Sequence, residues 1–141
     1  MRKGAKWGKC IKMCINLIPK HKSDYSTLDK LKEIDTNEAK PILGALLEWL
    51  EDMNWPVAMK VFKILPRFHA ELIPCIKEVF EIGNCVWTAN IMSLLLEFPA
   101  DSVKPLYPEI IRIAKHPTEF ELLCETYEFA IDVINKFNIK T

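Results

Sequence analysis

The chain has 141 residues, half of them hydrophobic, so it is long enough to bury a core and too apolar to be intrinsically disordered. Its 19 basic and 19 acidic residues balance, and no apolar run approaches the roughly 20 residues that a transmembrane helix needs. These features argue against a disordered or membrane-spanning protein and fit one domain over residues 1–141.

Positive charge is concentrated at the N-terminus. Residues 1–22 contain seven basic residues and no acidic residue, so the remainder of the chain is acidic overall. Residues 1–16 form a basic N-terminal segment that is either a separate helix or partly flexible. The run "CIKMCINLI" is similar to a secretion signal, but Lys12 interrupts it and no small-residue cleavage site follows. We therefore expect a cytoplasmic protein.

The hydrophobic periodicity is helical along the chain. Apolar residues recur every three to four positions, and the sequence lacks a convincing two-residue alternation of the kind that strands produce. The pattern predicts an all-α protein with helices at 4–17, 24–34, 37–51, 56–65, 68–82, 86–97, 102–115 and 118–137.

The prolines indicate an internal repeat. Pro41, Pro74 and Pro108 are 33 and 34 residues apart, and each is followed at fixed offsets by aliphatic residues. Proline is tolerated in the first turn of a helix or just past its end, so regular prolines can mark helix boundaries. We predict a right-handed α-α superhelix of about three to four stacked helical hairpins, similar to HEAT repeats.

The stretch "LLEWLEDMNWPVAMKVFKIL", residues 46–65, contains two apolar helical runs around a polar turn. Trp55 precedes a proline, which disfavours helical geometry at Trp55 and favours a new helix starting at Pro56. We interpret the turn as the corner of a helical hairpin, made by Trp49, Glu51, Asp52, Asn54 and Trp55. The alternative is an enzyme site that uses the acids near the two tryptophans.

The helix predicted over 118–137 carries the clearest surface signal. One stripe is apolar and predicted to face inward: Phe120, Leu123, Cys124, Tyr127, Ile131 and Ile134. A neighbouring face is acidic: Glu119, Glu121, Glu125, Glu128 and Asp132. Aligned acids repel one another, so this face is either a solvated surface or a docking surface for a basic partner.

The five cysteines do not form a recognisable framework. Their number is odd and their spacing irregular, so no disulfide pattern is predicted, and we interpret Cys75, Cys85 and Cys124 as small core residues. Cys10 and Cys14 could share a helix face, with His21 further along, but a zinc site needs a fourth ligand. We predict no metal, no cofactor and no catalytic residue.

Several motifs together resemble a known family: "NLIPKHKSDYSTL", "KPILGALLEWLEDMNWPVA", "LIPCIKEVF" and "LYPEIIRIAKHPTEFE". They are similar to an uncharacterised bacterial family, domain of unknown function five thousand and seventy-one, over about 17 to 137. The resemblance implies an all-helical, HEAT-like fold and transfers no activity. By analogy, small proteins of this kind often look like immunity partners of secreted toxins.

The sequence favours a noncatalytic protein–protein interaction module that binds a protein with a basic surface, such as a toxin whose immunity protein it would be. The alternatives are a helical repeat that binds nucleic acid through the basic N-terminal segment, which the acidic body disfavours, and an enzyme or metal protein. No membrane association is predicted. The partner and the oligomeric state are not specified by the sequence.

Overall fold

A computed structural model describes residues 15–141, and every regular element within that range is helical. The prediction of an all-α protein is therefore confirmed for this range. The helix predicted over 4–17 lies almost entirely outside the described residues, as do Cys10 and Cys14. None of the helices in residues 15–141 is long and apolar enough to cross a membrane.

The chain forms two compact units that divide between Leu72 and Ile73. In the first unit, short helices follow one another with 3-10 segments between them. The elements in chain order are α1 (Leu28–Glu33), α2 (Thr36–Ala39), a 3-10 helix (Lys40–Ile42), α3 (Leu43–Glu48), a 3-10 helix (Trp49–Glu51), α4 (Pro56–Ile64), a 3-10 helix (Leu65–Phe68) and α5 (His69–Ile82), which ends in the second unit.

The second unit begins with the rest of α5. Gly83 ends that helix with a φ of +78°, and the Asn84 side chain then accepts a hydrogen bond from the Trp87 amide at 3.0 Å to start the next one. The elements that follow are α6 (Cys85–Leu95), α7 (Ala100–Val103), a 3-10 helix (Lys104–Leu106), α8 (Tyr107–Lys115), α9 (Glu119–Leu123) and α10 (Thr126–Phe137).

The repeat prolines do not share one structural position. Pro108 lies in the first turn of α8, although the helix predicted over 102–115 placed it in the interior, and Pro41 lies in the first turn of a 3-10 helix. Pro74 lies inside α5, so the prediction that it marks a helix boundary is wrong. The closer structural counterpart of Pro41 is Pro105, because each occupies a Lys-Pro 3-10 helix between a four-residue helix and a longer one.

The core of the first unit consists of the two predicted leucine- and valine-rich stripes. These residues are at most 6% exposed: Leu43, Leu46, Leu47, Leu50, Val57, Val61, Ile64 and Leu65. Each buried aliphatic side chain of this size contributes roughly 1.5–3 kcal/mol through the hydrophobic effect. One stripe precedes the turn at residues 52–55 and the other follows it, and the 3-10 helix Trp49–Glu51 packs against α4.

In the second unit, α10 packs against α6 and α8. The buried side of α10 consists of Thr126, Ala130 and Val133. The inward stripe predicted from the sequence is therefore wrong: Phe120 is 71% exposed, Leu123 is 79% exposed and Ile131 is 39% exposed, while Cys124, Tyr127 and Ile134 are only partly buried. The physical reason is a break between α9 and α10, which changes the direction of the chain and the phase of the buried face.

A disulfide joins Cys85 at the start of α6 to Cys124 after α9, with Cα atoms 6.1 Å apart. The prediction that these cysteines are separate core residues is wrong. Neither is fully buried, and Cys75, the free cysteine among the described residues, is also only partly buried. Burial, followed by the nearby Glu78 charge, raises the pKa of the Cys75 thiol, so this thiol is less easily ionised.

Candidate partner-binding surface

Helix α9 is short and exposed. The Thr118 hydroxyl accepts a hydrogen bond from the Glu121 amide at 3.2 Å, and the Glu121 carboxylate accepts one from the Thr118 amide at 2.8 Å. This reciprocal capping box stabilises the helix start even though no residue of α9 is buried. The capping box is encoded in the sequence as "TEFE", residues 118–121, but it was not among the predicted features.

Glu121 is also tied to the preceding helix. The Arg112 guanidinium of α8 donates to both of its carboxylate oxygens, at 3.1 Å and 2.6 Å. Partial burial opposes ionisation of Glu121, but the hydrogen bonds from Arg112 and from the Thr118 amide hold the pKa of the carboxyl below its usual value. Glu121 is therefore a structural residue, which removes it from the predicted docking surface.

The junction between α9 and α10 is fixed by three features. Glu125 adopts a left-handed backbone conformation with a φ of +59°. The buried Thr126 side chain donates a hydrogen bond to the Cys85 carbonyl at 2.9 Å, and Cys124 is bonded to Cys85. These contacts hold the junction against the start of α6, so the 118–137 segment is two helices and not the single helix predicted.

The exposed side of α10 carries acids next to an apolar residue. Glu128 and Asp132 are four positions apart and therefore share a helix face, and Ile131 lies beside them. The Tyr127 hydroxyl donates a hydrogen bond to the Glu128 carboxylate at 3.3 Å. The negative charge of Glu128 is the main reason that the pKa of Tyr127 is raised.

Four of the five predicted acids are solvent-exposed, and exposed apolar residues lie near them in the sequence. We use the name α9–α10 surface for the exposed acids Glu119, Glu125, Glu128 and Asp132 together with the exposed apolar residues Phe120, Leu123 and Ile131. A single basic residue, Lys136, lies in the sequence between Glu119 and Phe137. The surface is therefore negative and partly apolar.

The residues of the predicted hairpin corner are held by local hydrogen bonds and by the packing of two tryptophan rings. The Asp52 carboxylate accepts a hydrogen bond from the Asn54 amide at 2.9 Å, and the Asp52 carbonyl accepts one from the Trp55 amide at 3.2 Å. Trp55 is the N-cap of α4 and Pro56 is in its first turn, as predicted. The Trp49 and Trp55 rings pack edge to face, with centroids 5.4 Å apart and planes at 78°.

Glu48 and Glu51 lie beside the tryptophan pair. They line a shallow cleft of about 300 Å³ together with Ile18, Pro19, Ala45, Trp49 and Trp55. Both carboxylates are exposed to solvent, whereas ligand and active sites usually enclose most of the molecule that they bind. The local contacts of Asp52, Trp49 and Trp55 account for the corner as a fold element.

The histidines and cysteines form no metal-binding cluster within the described residues. Between Ile15 and Thr141, no group of three or more His, Cys, Asp or Glu side chains is arranged to hold a metal ion. His21, in the turn after Pro19, accepts a hydrogen bond from the Ser23 amide at 3.3 Å. The zinc alternative also depends on Cys10 and Cys14, which lie outside the described part of the chain.

Comparison with known families matches residues 17–134 to one family model, described as Domain of unknown function (DUF5071). The chain belongs to the DUF5071 family. This match confirms the resemblance read from the proline and tryptophan motifs, over nearly the same residues. A search of curated proteins found no match. The DUF5071 description names no activity, so it transfers no function to the α9–α10 surface or to the hairpin corner.

Proposed function

We propose that this DUF5071 chain is a noncatalytic module whose α9–α10 surface binds a partner protein with a basic surface. The observation that carries the proposal is the placement of Phe120, Leu123 and Ile131 in solvent among exposed acids. Large apolar side chains that remain exposed next to charged groups are typical of interaction sites. The apolar residues would supply contact area, and the acids would supply specificity and fast association.

The backbone at Glu125 gives independent support. A left-handed conformation is unfavourable for a residue with a Cβ atom, by about 1–2 kcal/mol, and glycine would adopt it without that cost. This chain nevertheless carries a carboxylate at the position. A left-handed residue commonly follows a helix C-cap, where glycine is the usual choice, and strained residues also cluster at binding sites, so a role in recognition would explain the carboxylate at this position.

The first test is affinity capture of the tagged protein from a lysate of its native cells, followed by mass spectrometry. The test variant reverses three exposed acids, Glu125→Lys, Glu128→Lys and Asp132→Lys, and leaves the structural Glu121 intact. A basic protein retained by the parent should be recovered at least about tenfold less by the variant, which corresponds to about 1.4 kcal/mol or more in binding.

The matched control reverses three exposed acids elsewhere in the second unit: Glu78→Lys, Glu81→Lys and Glu97→Lys. It has the same net charge as the test variant, so it separates a specific loss from a general effect of charge. A second test variant, Phe120→Ser with Leu123→Ser, removes apolar contacts at constant charge. If the partner is retained equally by all variants, or if the parent retains nothing above background, the α9–α10 surface is a solvated face.

Three finer points belong to the same proposal. The hairpins would stack as a HEAT-like superhelix, the partner would be a toxin for which this chain is the immunity protein, and the location would be the cytoplasm. Disulfides are rare in a reducing cytoplasm, so a cytoplasmic location would require the Cys85–Cys124 bond to be reduced or protected there. Identification of the captured protein tests the second point, and alkylation of thiols in intact native cells tests the third.

A further inference from the structure

The first unit contains an open groove that is separate from the hairpin corner. It has a volume of about 1040 Å³ and is lined by nine residues: Tyr25, Leu28, Asp29, Lys32, Lys60, Lys63, Ile64, Pro66 and Arg67. We call it the basic groove. Its residues come from α1, the segment before it, α4 and the 3-10 helix after α4, so it forms only when these segments pack together.

Positive charge is concentrated in the basic groove compared with the described part of the first unit. Residues 15–72 contain eight basic and nine acidic residues, yet the groove has four bases and one acid. That acid, Asp29, is fully exposed and lies 3.8 Å from Lys32, which makes a weak, solvent-screened ion pair. The groove therefore keeps a net positive charge.

Two of the cations are held in place by contacts within the unit. The Arg67 guanidinium donates hydrogen bonds to the Leu31 carbonyl at 3.0 Å and the Ile34 carbonyl at 2.5 Å, at the end of α1. The Lys60 ammonium lies 5.4 Å from the centre of the Tyr25 ring, within cation–π range. Side chains that are already ordered lose less conformational entropy when a ligand binds.

The groove also offers apolar contact area. Tyr25 is 44% exposed at its edge, and Leu28 and Ile64 each retain a small exposed fraction in its lining. Lys60 and Lys63 are three positions apart on α4 and therefore project from neighbouring positions on one helix face. An anion that binds here can contact several ammonium groups and an aromatic ring together.

We propose that the basic groove binds an acidic peptide segment of a partner protein, with an aromatic or aliphatic residue of that segment against Tyr25. Charge complementarity selects the acidic ligand, because three lysines and one arginine face a single exposed acid. The exposed rim favours a peptide over a small molecule, since small-molecule sites usually enclose most of the surface of their ligand. This proposal uses a different surface from the α9–α10 surface, so either can fail alone.

The test is fluorescence anisotropy of the full chain with a fluorescein-labelled peptide of Asp, Glu, Leu and Phe residues. We expect saturable binding that weakens as salt is raised, and no binding of the same peptide with Lys in place of each acid. The variant Lys60→Glu with Lys63→Glu should weaken binding at least about tenfold. Arg67 is left intact because it holds the end of α1.

The matched control is Lys30→Glu with Lys40→Glu, two exposed bases of the same unit outside the groove lining, and it should bind the peptide like the parent. Tyr25→Ala should weaken binding of the peptide and leave the binding of the competitor, inorganic tripolyphosphate, unchanged. Circular dichroism and thermal unfolding confirm that each variant is folded.

Four outcomes would overturn the proposal. The first is that the parent does not bind the acidic peptide, and the second is that the groove and control variants bind it equally. The third is that tripolyphosphate displaces the peptide with an affinity equal to that of the peptide, while Tyr25→Ala has no effect. The fourth is that the parent self-associates and that Lys60→Glu with Lys63→Glu abolishes this self-association. The third outcome identifies a simple anion site, and the fourth, measured by sedimentation, identifies a second copy of the chain as the occupant.

Discussion

The Arg112 guanidinium holds both oxygens of the Glu121 carboxylate, with donor–acceptor distances of 3.1 Å and 2.6 Å, and so connects α8 to α9. A second carboxylate, Glu109, accepts from the Arg112 Nε at 2.8 Å. The hydrogen bonds to Glu121 are the largest cause of the raised pKa of Arg112, and the bond to Glu109 adds to it. Partial burial acts in the opposite direction. Since α9 buries no residue of its own, this bridge is a main contact that holds it.

Removing the Glu121 carboxylate should therefore destabilise the second unit. Glu121→Ala loses the bidentate ion pair and half of the capping box, and we expect the free energy of unfolding to fall by about 2 kcal/mol after allowance for the partial exposure of Arg112. Glu121→Gln keeps an acceptor for the Thr118 amide and should lose about 1 kcal/mol. Urea denaturation measures both values.

The control for this prediction is Glu119→Gln, which removes an exposed first-turn acid and should change stability by less than about 0.5 kcal/mol. The pH dependence provides a second readout. The pKa of Glu121 is lowered by folding, so its contribution is present above the unfolded-state pKa and is lost as pH falls through the folded-state pKa. Equal pH profiles for the parent and Glu121→Gln at acid pH would contradict the assignment.

The sequence predicted the turn before α4 and the start of that helix because their determinants are local. Pro56 fixes the start of α4, and Asp52 bonds to the backbone two residues later, so neighbouring residues decide the geometry. The end of the chain was predicted incorrectly because its determinants are distant. The break at Glu125 depends on contacts of Cys124 and Thr126 with Cys85, about 40 residues earlier, and periodicity alone does not detect such contacts.

The two candidate surfaces also differ in how far their residues are from one another in the sequence. The acids at Glu125, Glu128 and Asp132 were found because they follow one another along the sequence. The exposed apolar residues beside them were assigned to the core, since an amphipathic period identifies a stripe but not the phase after a break in the helix. The basic groove was not predicted, because Lys32 and Lys63 come from separate helices and converge only in the folded unit.

Asp24 should make the first unit sensitive to acid. Its carboxylate accepts hydrogen bonds from the Ser26 hydroxyl at 2.6 Å, the Lys20 amide at 2.8 Å and the Ser26 amide at 3.1 Å. These bonds lower the pKa of Asp24 from 3.8 to about 2, and the bond from the Ser26 hydroxyl has the largest effect. The stabilisation is present above the unfolded-state value and is lost as pH falls from about 4 towards 2.

The substitution Asp24→Asn should therefore reduce stability at neutral pH and have less effect near pH 2, while Ser26→Ala should give a smaller change in the same direction. Thermal unfolding across this pH range measures both effects. Asp29→Asn is the control, because that side chain is fully exposed. A constant difference between parent and Asp24→Asn at all pH values would contradict an ionised, hydrogen-bonded Asp24.

The disulfide between Cys85 and Cys124 should stabilise the second unit. It closes a loop with a sequence separation of 39, and a crosslink over such a loop contributes roughly 2–4 kcal/mol in the chain-entropy description. Reductant should lower the urea midpoint of the parent and leave a Cys85→Ser, Cys124→Ser variant unchanged. Cys75→Ser, the control, should respond like the parent. Digestion without reductant that yields the two cysteine peptides unlinked would contradict the bond.

The tryptophan pair at the hairpin corner should be energetically coupled. Trp49 and Trp55 are each partly buried and meet edge to face, so we expect Trp49→Ala and Trp55→Ala each to cost about 2 kcal/mol. In a double-mutant cycle the coupling should be about 1 kcal/mol. Additive losses would mean that the two rings stabilise the corner independently. Glu51→Gln, which changes an exposed acid of the same corner, should leave stability nearly unchanged.

Glu125→Gly should separate fold from function at the α9–α10 surface. Glycine adopts the left-handed conformation at φ +59° without a Cβ clash, so the variant should be about 1 kcal/mol more stable than the parent, while Glu125→Ala, which keeps the Cβ, should gain little. Both variants remove the same charge, so both should weaken capture of a basic partner equally. If only Glu125→Gly gains stability and both variants lose binding equally, the strain belongs to the backbone and recognition depends on the carboxylate. Equal stability of the glycine and alanine variants would contradict the strained junction.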